Sequence, residues 1–162
     1  MAAPRVGILM GSRSDMPVMK RAAELLTELG IEHQVRVMSA HRTPALVADY
    51  ATGAAGRGLQ VIVAASGGAA HLAGVVAAHT LLPVVGVPIA TQVAGGLDSL
   101  LSTVQMPRGV PVATVSVDGA ENAALLAAEI LAISDDVVRA RLAVYRERQT
   151  QEILNDETNR LA

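Results

Sequence analysis

His41 and Arg42 stand side by side in the stretch Ser39-Ala40-His41-Arg42-Thr43-Pro44. An imidazole exchanges protons near neutral pH, because its unperturbed pKa is about 6.5. A guanidinium presents a planar fork of donors that suits a phosphate. At the positive start of a helix, a His is held neutral and can serve as a base. The pair therefore reads as proton transfer beside anion binding, or as two exposed loop residues.

Gly11-Ser12-Arg13-Ser14-Asp15 offers a second chemistry. Gly11 permits a tight turn, and the hydroxyls of Ser12 and Ser14 join the first N–H groups of the next helix. Together they outline an anion site fit for a phosphate. Asp15 is placed to cap that helix or to accept hydrogen bonds from ribose hydroxyls, and a plain Ser/Asp cap accounts for the same residues. A third stretch, Ser66-Gly67-Gly68-Ala69-Ala70-His71-Leu72, is uncharged apart from His71. Its glycines let backbone approach a ligand closely, and Ala69 and Ala70 leave space, so it reads as a wall for a flat neutral ring. A turn that needs positive φ would use the same glycines. Residues 92–96 form a cover or a surface loop. Arg108 reads as solvated or as reaching a site or a neighbouring chain, and His33 and His79 as structural.

These stretches need elements to position them. Residues 6–10 are a continuous apolar run, as expected of a strand buried on both faces. A helix follows over 16–29, with Met19, Ala22, Ala23, Leu26 and Leu29 on one face and Gly30 as its stop. Further strands are expected at 35–38, 61–65, 84–87 and 112–117. Thr43 and Pro44 predict the N-cap and first residue of a second helix, with Leu46, Val47, Tyr50, Ala51 and Ala54 facing inward. Helices are expected over 72–80 and 95–101. Residues 123–133 are apolar nearly all round, which predicts burial on both sides. Ser134 is the expected cap of a last helix carrying a narrow stripe of Val138, Leu142 and Tyr145.

Strands alternating with helices predict one α/β domain over 1–162, a three-layer flavodoxin-like fold around a five-stranded parallel sheet. The core spans about 5–133 and a helical extension about 134–155. Ligands in such sheets sit beyond the carboxyl ends of the strands, where strand order switches. The turns holding Ser12, His41 and His71 should therefore meet.

Composition removes several alternatives. The net charge is −2 with no basic block, and aromatics are 1% of the chain, so nucleic acid is not an expected partner. No Cys is present, which excludes disulfides, thiolate metal sites and thiol catalysis. No run reaches membrane-spanning length and no leader pattern opens the chain, so a cytoplasmic protein is expected. The acidic residues lack metal-site or two-carboxylate spacing, and no P-loop lysine or Gly-x-Ser-x-Gly elbow occurs. A phosphoacceptor domain would need Asp where Ala64-Ala65-Ser66 stand. A flavin carrier would stack its ring on aromatics that these loops lack.

Taken in register, the three loops resemble the class I N5-carboxyaminoimidazole ribonucleotide mutases. So do Pro83-Val84-Val85-Gly86-Val87-Pro88, Asp98-Ser99-Leu100-Leu101-Ser102, residues 104–112 and residues 122–127. The resemblance covers about 5–133. It implies a cofactor-free and metal-free enzyme of purine biosynthesis, assembled as a homo-octamer with sites shared between subunits and C-terminal helices packed on neighbours. It implies that Ser12, Asp15 and Arg42 bind the ribonucleotide, with Ser14 and Ser39 nearby, and that His41 is the general acid and base. It implies that Gly67, Gly68, Ala69, His71 and Leu72 line the imidazole and carboxylate pocket. The neighbouring class carboxylates aminoimidazole ribonucleotide directly; the Ala70-His71-Leu72 ending is similar to the mutases. Departures from the family pattern are Met16 for Trp, Ala65-Ser66 for Gly-Ala, Ala73 for Pro, and a short turn at Asp118-Gly119-Ala120.

Overall fold

The computed structural model describes residues 3–160. Five strands, β1 (Val6–Met10), β2 (His33–Val37), β3 (Val61–Gly67), β4 (Val84–Ile89) and β5 (Ala113–Thr114), form one parallel sheet in the order β2-β1-β3-β4-β5. Six helices, α1 (Met16–Glu28), α2 (Pro44–Thr52), α3 (Leu72–Ala78), α4 (Leu97–Val104), α5 (Ala120–Ala132) and α6 (Asp136–Leu154), connect and flank them. This is the flavodoxin-like order, and the expected fold class stands. The chain leaves β1 for β2 on one side, then crosses back to β3 on the other. The turns after β1 and β3 part there and leave a crevice at the strand ends.

Alternation along each strand builds two cores. Val6, Ile8 and Met10 of β1 join Val61, Val63 and Ala65 of β3 under α1 and α5. Leu9, Ile62 and Ala64 face the other way, onto Val47, Tyr50 and Ala51 of α2 and Leu72 and Val76 of α3. Helix α5 is covered by α1 and α6 of the same chain, so the burial expected on both its sides is met within the subunit.

Several boundaries move for identifiable reasons. β2 begins at His33 and is an edge strand, with Val35 and Val37 exposed. β5 pairs only at Ala113 and Thr114, not over 112–117. Val115 N–H donates to Gly86 O, but the next rung needs an N–H from Pro88, which has none. The chain turns instead, and Asp118 N–H donates to Pro88 O. α4 starts at Leu97, later than expected, and Leu46 is exposed and not part of the α2 stripe. α4 can approach the sheet because Gly86 has no side chain: Thr103 and Val112 occupy the space a Cβ would need.

The cap of α6 is Asp135, not Ser134. Its carboxylate accepts from Val137 N–H at 2.9 Å and Val138 N–H at 3.1 Å, and pairs with Arg5 at 2.6 Å. The Val138 N–H and the Arg5 guanidinium hold this carboxyl below the usual range. A depressed Asp contributes stability above its unfolded pKa and loses it as pH falls through the folded value. Asp135→Ala should therefore lower Tm most near neutrality. In calorimetry, the gap to wild type should close as pH drops below about 4, where unfolded Asp protonates.

Candidate active site

The turns after β1, β2 and β3 meet in one cavity of about 570 Å3. Ser12, Ser14 and Asp15 line it from the first turn, Ser39, His41 and Arg42 from the second, and Gly67, Ala69, His71 and Leu72 from the third. Gly68 does not line it. With φ at +67°, it turns the loop from behind, where Ser99 and Ser102 hold it. Arg108 is not in the wall.

The first turn is organised by a reciprocal cap. Ser14 N–H donates to Ser12 Oγ at 3.3 Å, and Ser12 N–H donates to Asp15 Oδ2 at 3.2 Å. The Ser14 hydroxyl lies 2.8 Å from Ser12 Oγ and 3.2 Å from Asp15 Oδ1, so its single proton serves one at a time. When that proton serves Ser12, the Ser12 hydroxyl proton is free to point into the cavity. Asp15 is only 6% exposed. Burial pushes its carboxyl above the ordinary value, opposed by the Ser14 hydroxyl, the Ser12 N–H and the Arg42 charge.

The second turn enters α2 as expected, with Thr43 as N-cap residue and Pro44 as first helical residue. The Thr43 side chain makes no capping hydrogen bond. Its hydroxyl accepts from Ser39 N–H at 2.9 Å and donates to Ser39 O at 3.0 Å, closing the loop around His41. Arg42 N–H and Nε donate to Ser39 Oγ at 3.2 and 3.4 Å, and its Nη2 donates to Gly11 O at 2.8 Å. Arg42 is thus bound back to the first turn. Its neighbour His41 reaches the other way: Nε2 lies 2.8 Å from Nδ1 of His71, with the rings nearly perpendicular. One proton must occupy that bond, held by either ring.

The supports behind the third turn lie in residues 98–102, a stretch to which sequence reading assigned no role. Ser99 Oγ accepts from Gly68 N–H at 2.9 Å, and the Ser102 hydroxyl donates to Gly68 O at 3.3 Å. Asp98 accepts from the Thr91 hydroxyl at 2.6 Å and from Ser99 N–H at 2.8 Å, and these donors hold its carboxyl below the usual range. Asp118 accepts from Ala90 N–H at 2.9 Å. The loop over 90–96 is therefore tethered beside the cavity. One signal was readable: α4 buries Ser99 and Thr103 and exposes Leu97, Leu101 and Val104, an inverted helix face. His41 and His71 are exposed, so one chain alone does not exclude water from them. Among the described residues, no three His, Asp or Glu side chains gather as a metal site requires.

Residues 5–152 match the AIR carboxylase family. The chain belongs to that family. The match extends through most of α6, beyond the span resembled by motif. An N5-carboxyaminoimidazole ribonucleotide mutase of Mycobacterium tuberculosis is 59% identical over 145 residues, covering 90% of this chain and 83% of that protein. The mutase of Thermotoga maritima is 55% identical over 151 residues, covering 93% and 88%. A chloroplastic phosphoribosylaminoimidazole carboxylase of Vigna aconitifolia is also 55% identical over 93% of this chain, which spans 27% of that longer protein. The crystal structure of Treponema denticola PurE superposes with a TM-score of 0.88 at 30% identity, over 98% of this chain and 99% of that one.

Arg42 faces an anion turn, and a charge-assisted hydrogen bond contributes about 1.5–3 kcal/mol. Arg42→Ala should weaken ribose 5-phosphate by about 10- to 100-fold in a calorimetric titration. Unchanged affinity would count against a phosphate contact.

Proposed function

We propose that this AIR carboxylase family member is an N5-carboxyaminoimidazole ribonucleotide mutase of purine biosynthesis. It converts N5-carboxyaminoimidazole ribonucleotide to 4-carboxy-5-aminoimidazole ribonucleotide. One observation carries the mechanism: a hydrogen-bonded imidazole pair, His41 and His71, opens on the same cavity as the Ser12, Ser14 and Arg42 anion turn. The names of the mutase relatives, at 55–59% identity, support the same reaction.

The substrate is a carbamate. When its N–C bond breaks, the electron pair stays on nitrogen, carbon dioxide leaves, and nitrogen takes a proton from His41. The aminoimidazole that remains is enamine-like. Its ring carbon attacks the carbon dioxide, and His41 removes the proton from that carbon. One proton is given and one recovered, so the enzyme returns to its starting state. His71 orients His41 between turnovers and offers the shared proton a second position. The phosphate clamp supplies binding energy remote from the reacting atoms. Asp15 meets the ribose hydroxyls, and Ser39 orders the loop beneath Arg42. Gly67, Ala69 and Leu72 make a small apolar wall that retains carbon dioxide.

A cytoplasmic location and a homo-octamer belong to this reading. No helix among the described residues is long and apolar enough to cross a membrane. The outward stripe of Leu97, Leu101 and Val104 lies next to the loop tethered beside the cavity, so a neighbouring subunit docked there would dry the site. A light-scattering mass near that of one 16.7 kDa chain contradicts assembly.

The deciding assay mixes purified protein with N5-carboxyaminoimidazole ribonucleotide, without ATP or added metal, and follows the carbon-carboxylated product. Carboxylation of aminoimidazole ribonucleotide by carbon dioxide, with no turnover of the carbamate, would identify the neighbouring class instead. His41→Asn should keep nucleotide affinity and lose at least about 100-fold in kcat, the usual worth of a general acid–base group. Near-normal turnover by that variant would refute the role of His41.

A further inference from the structure

Five hydroxyl side chains line the cavity: Ser12, Ser14, Ser39, Ser66 and Thr91. Four already hydrogen-bond within the protein. Ser12 and Ser14 bond each other, Ser39 accepts from Arg42, and Thr91 donates to Asp98. Ser66 alone has no hydrogen-bond partner among the described residues; it is half-buried and its hydroxyl is open to the cavity. A hydroxyl has one proton to donate and two lone pairs to offer, and no other described residue engages those of Ser66, so they remain free for a ligand.

Its position is fixed by backbone. Ser66 is the sixth residue of β3, in register with Pro88 of β4. Its Cβ lies 3.5 Å from where a Cβ on Gly11 would stand. Gly11 opens the anion turn, and Gly67, the next residue in the chain, opens the loop that carries His71. Ser66 therefore lies on the floor between the phosphate end and the imidazole pair. A ligand spanning both ends must pass over it. The position also departs from the family pattern, which has Ala there.

We propose that the Ser66 hydroxyl hydrogen-bonds the polar edge of the substrate's aminoimidazole ring and adds to the affinity for the base. This rests on the mutase reading. Ser66 takes no part in proton transfer; it binds the base. The contact is present in both ground and transition states, so its loss raises KM and leaves kcat unchanged.

The test compares two ligands on wild type and Ser66→Ala by calorimetric titration: aminoimidazole ribonucleotide, and ribose 5-phosphate, which lacks the base. Ser66 bonds nothing within the protein, so the variant keeps the wild-type Tm, and a Tm scan checks this first. One neutral hydrogen bond is worth about 3- to 10-fold in affinity. The variant should lose that factor for aminoimidazole ribonucleotide and nothing for ribose 5-phosphate, with the same factor appearing in KM alone. Equal losses for both ligands overturn the proposal by moving the contact to the sugar phosphate. No loss for either shows the hydroxyl to be idle and overturns it too. A different failure marks the underlying reading: wild type that binds aminoimidazole ribonucleotide no better than ribose 5-phosphate has no base site, and both proposals fall.

Discussion

The site depends on the loop between β2 and α2 being tied in two directions at once. Strand β2 neighbours β1 but not β3. Arg42 bonds back to Gly11 on the β1 turn, while His41 crosses above β1 to His71 on the β3 turn. Two adjacent residues thus join three strand ends. Neither bond is strong alone, since a neutral hydrogen bond contributes about 1 kcal/mol and a charge-assisted one about 1.5–3 kcal/mol. They suffice because the turns they join are fixed at their roots by a parallel sheet whose register leaves little freedom. The Thr43 and Ser39 bonds add rigidity beneath the loop itself.

This division of labour assigns chemistry to loops and precision to the sheet. The strand ends set where Ser12, His41 and His71 begin. Short-range polar contacts then decide where each side chain points: Asp15 for the anion turn, Ser99 and Ser102 for Gly68, Asp98 and Asp118 for the loop after β4. The imidazole pair stays exposed in the single chain, while the proposed reaction must hold carbon dioxide. On this account, the remaining closure comes from the substrate itself and from a neighbouring subunit seated on the apolar stripe of α4.

Much of this was legible in the sequence, and unevenly so. β1, β3 and β4 are buried on both faces, so continuous apolar runs announced them. The edge strands did not read as well. β2 has one open side and an exposed valine pair, and β5 stops where Pro88 cannot donate. The site residues were legible because they cluster at turns with distinctive types: serines and Asp after Gly11, His beside Arg, two glycines before His71. Their supports were not. Thr43 is the N-cap residue it looked like, but its hydroxyl clasps the loop at Ser39, and Ser99 lies 31 residues from the Gly68 it holds. Gly68 read as part of the wall, and the structure places it at a fixed turn behind the cavity. The contact between His41 and His71 follows only once β2 and β3 are known to flank β1.

The most direct measurement is a crystal structure of the protein with aminoimidazole ribonucleotide bound. The account predicts the phosphate on Ser12, Ser14 and Arg42, and the ring carbon that accepts the carboxylate within hydrogen-bond reach of His41 Nε2. A phosphate seated elsewhere, or a ring turned so that His41 meets only its ribose or solvent, would contradict it.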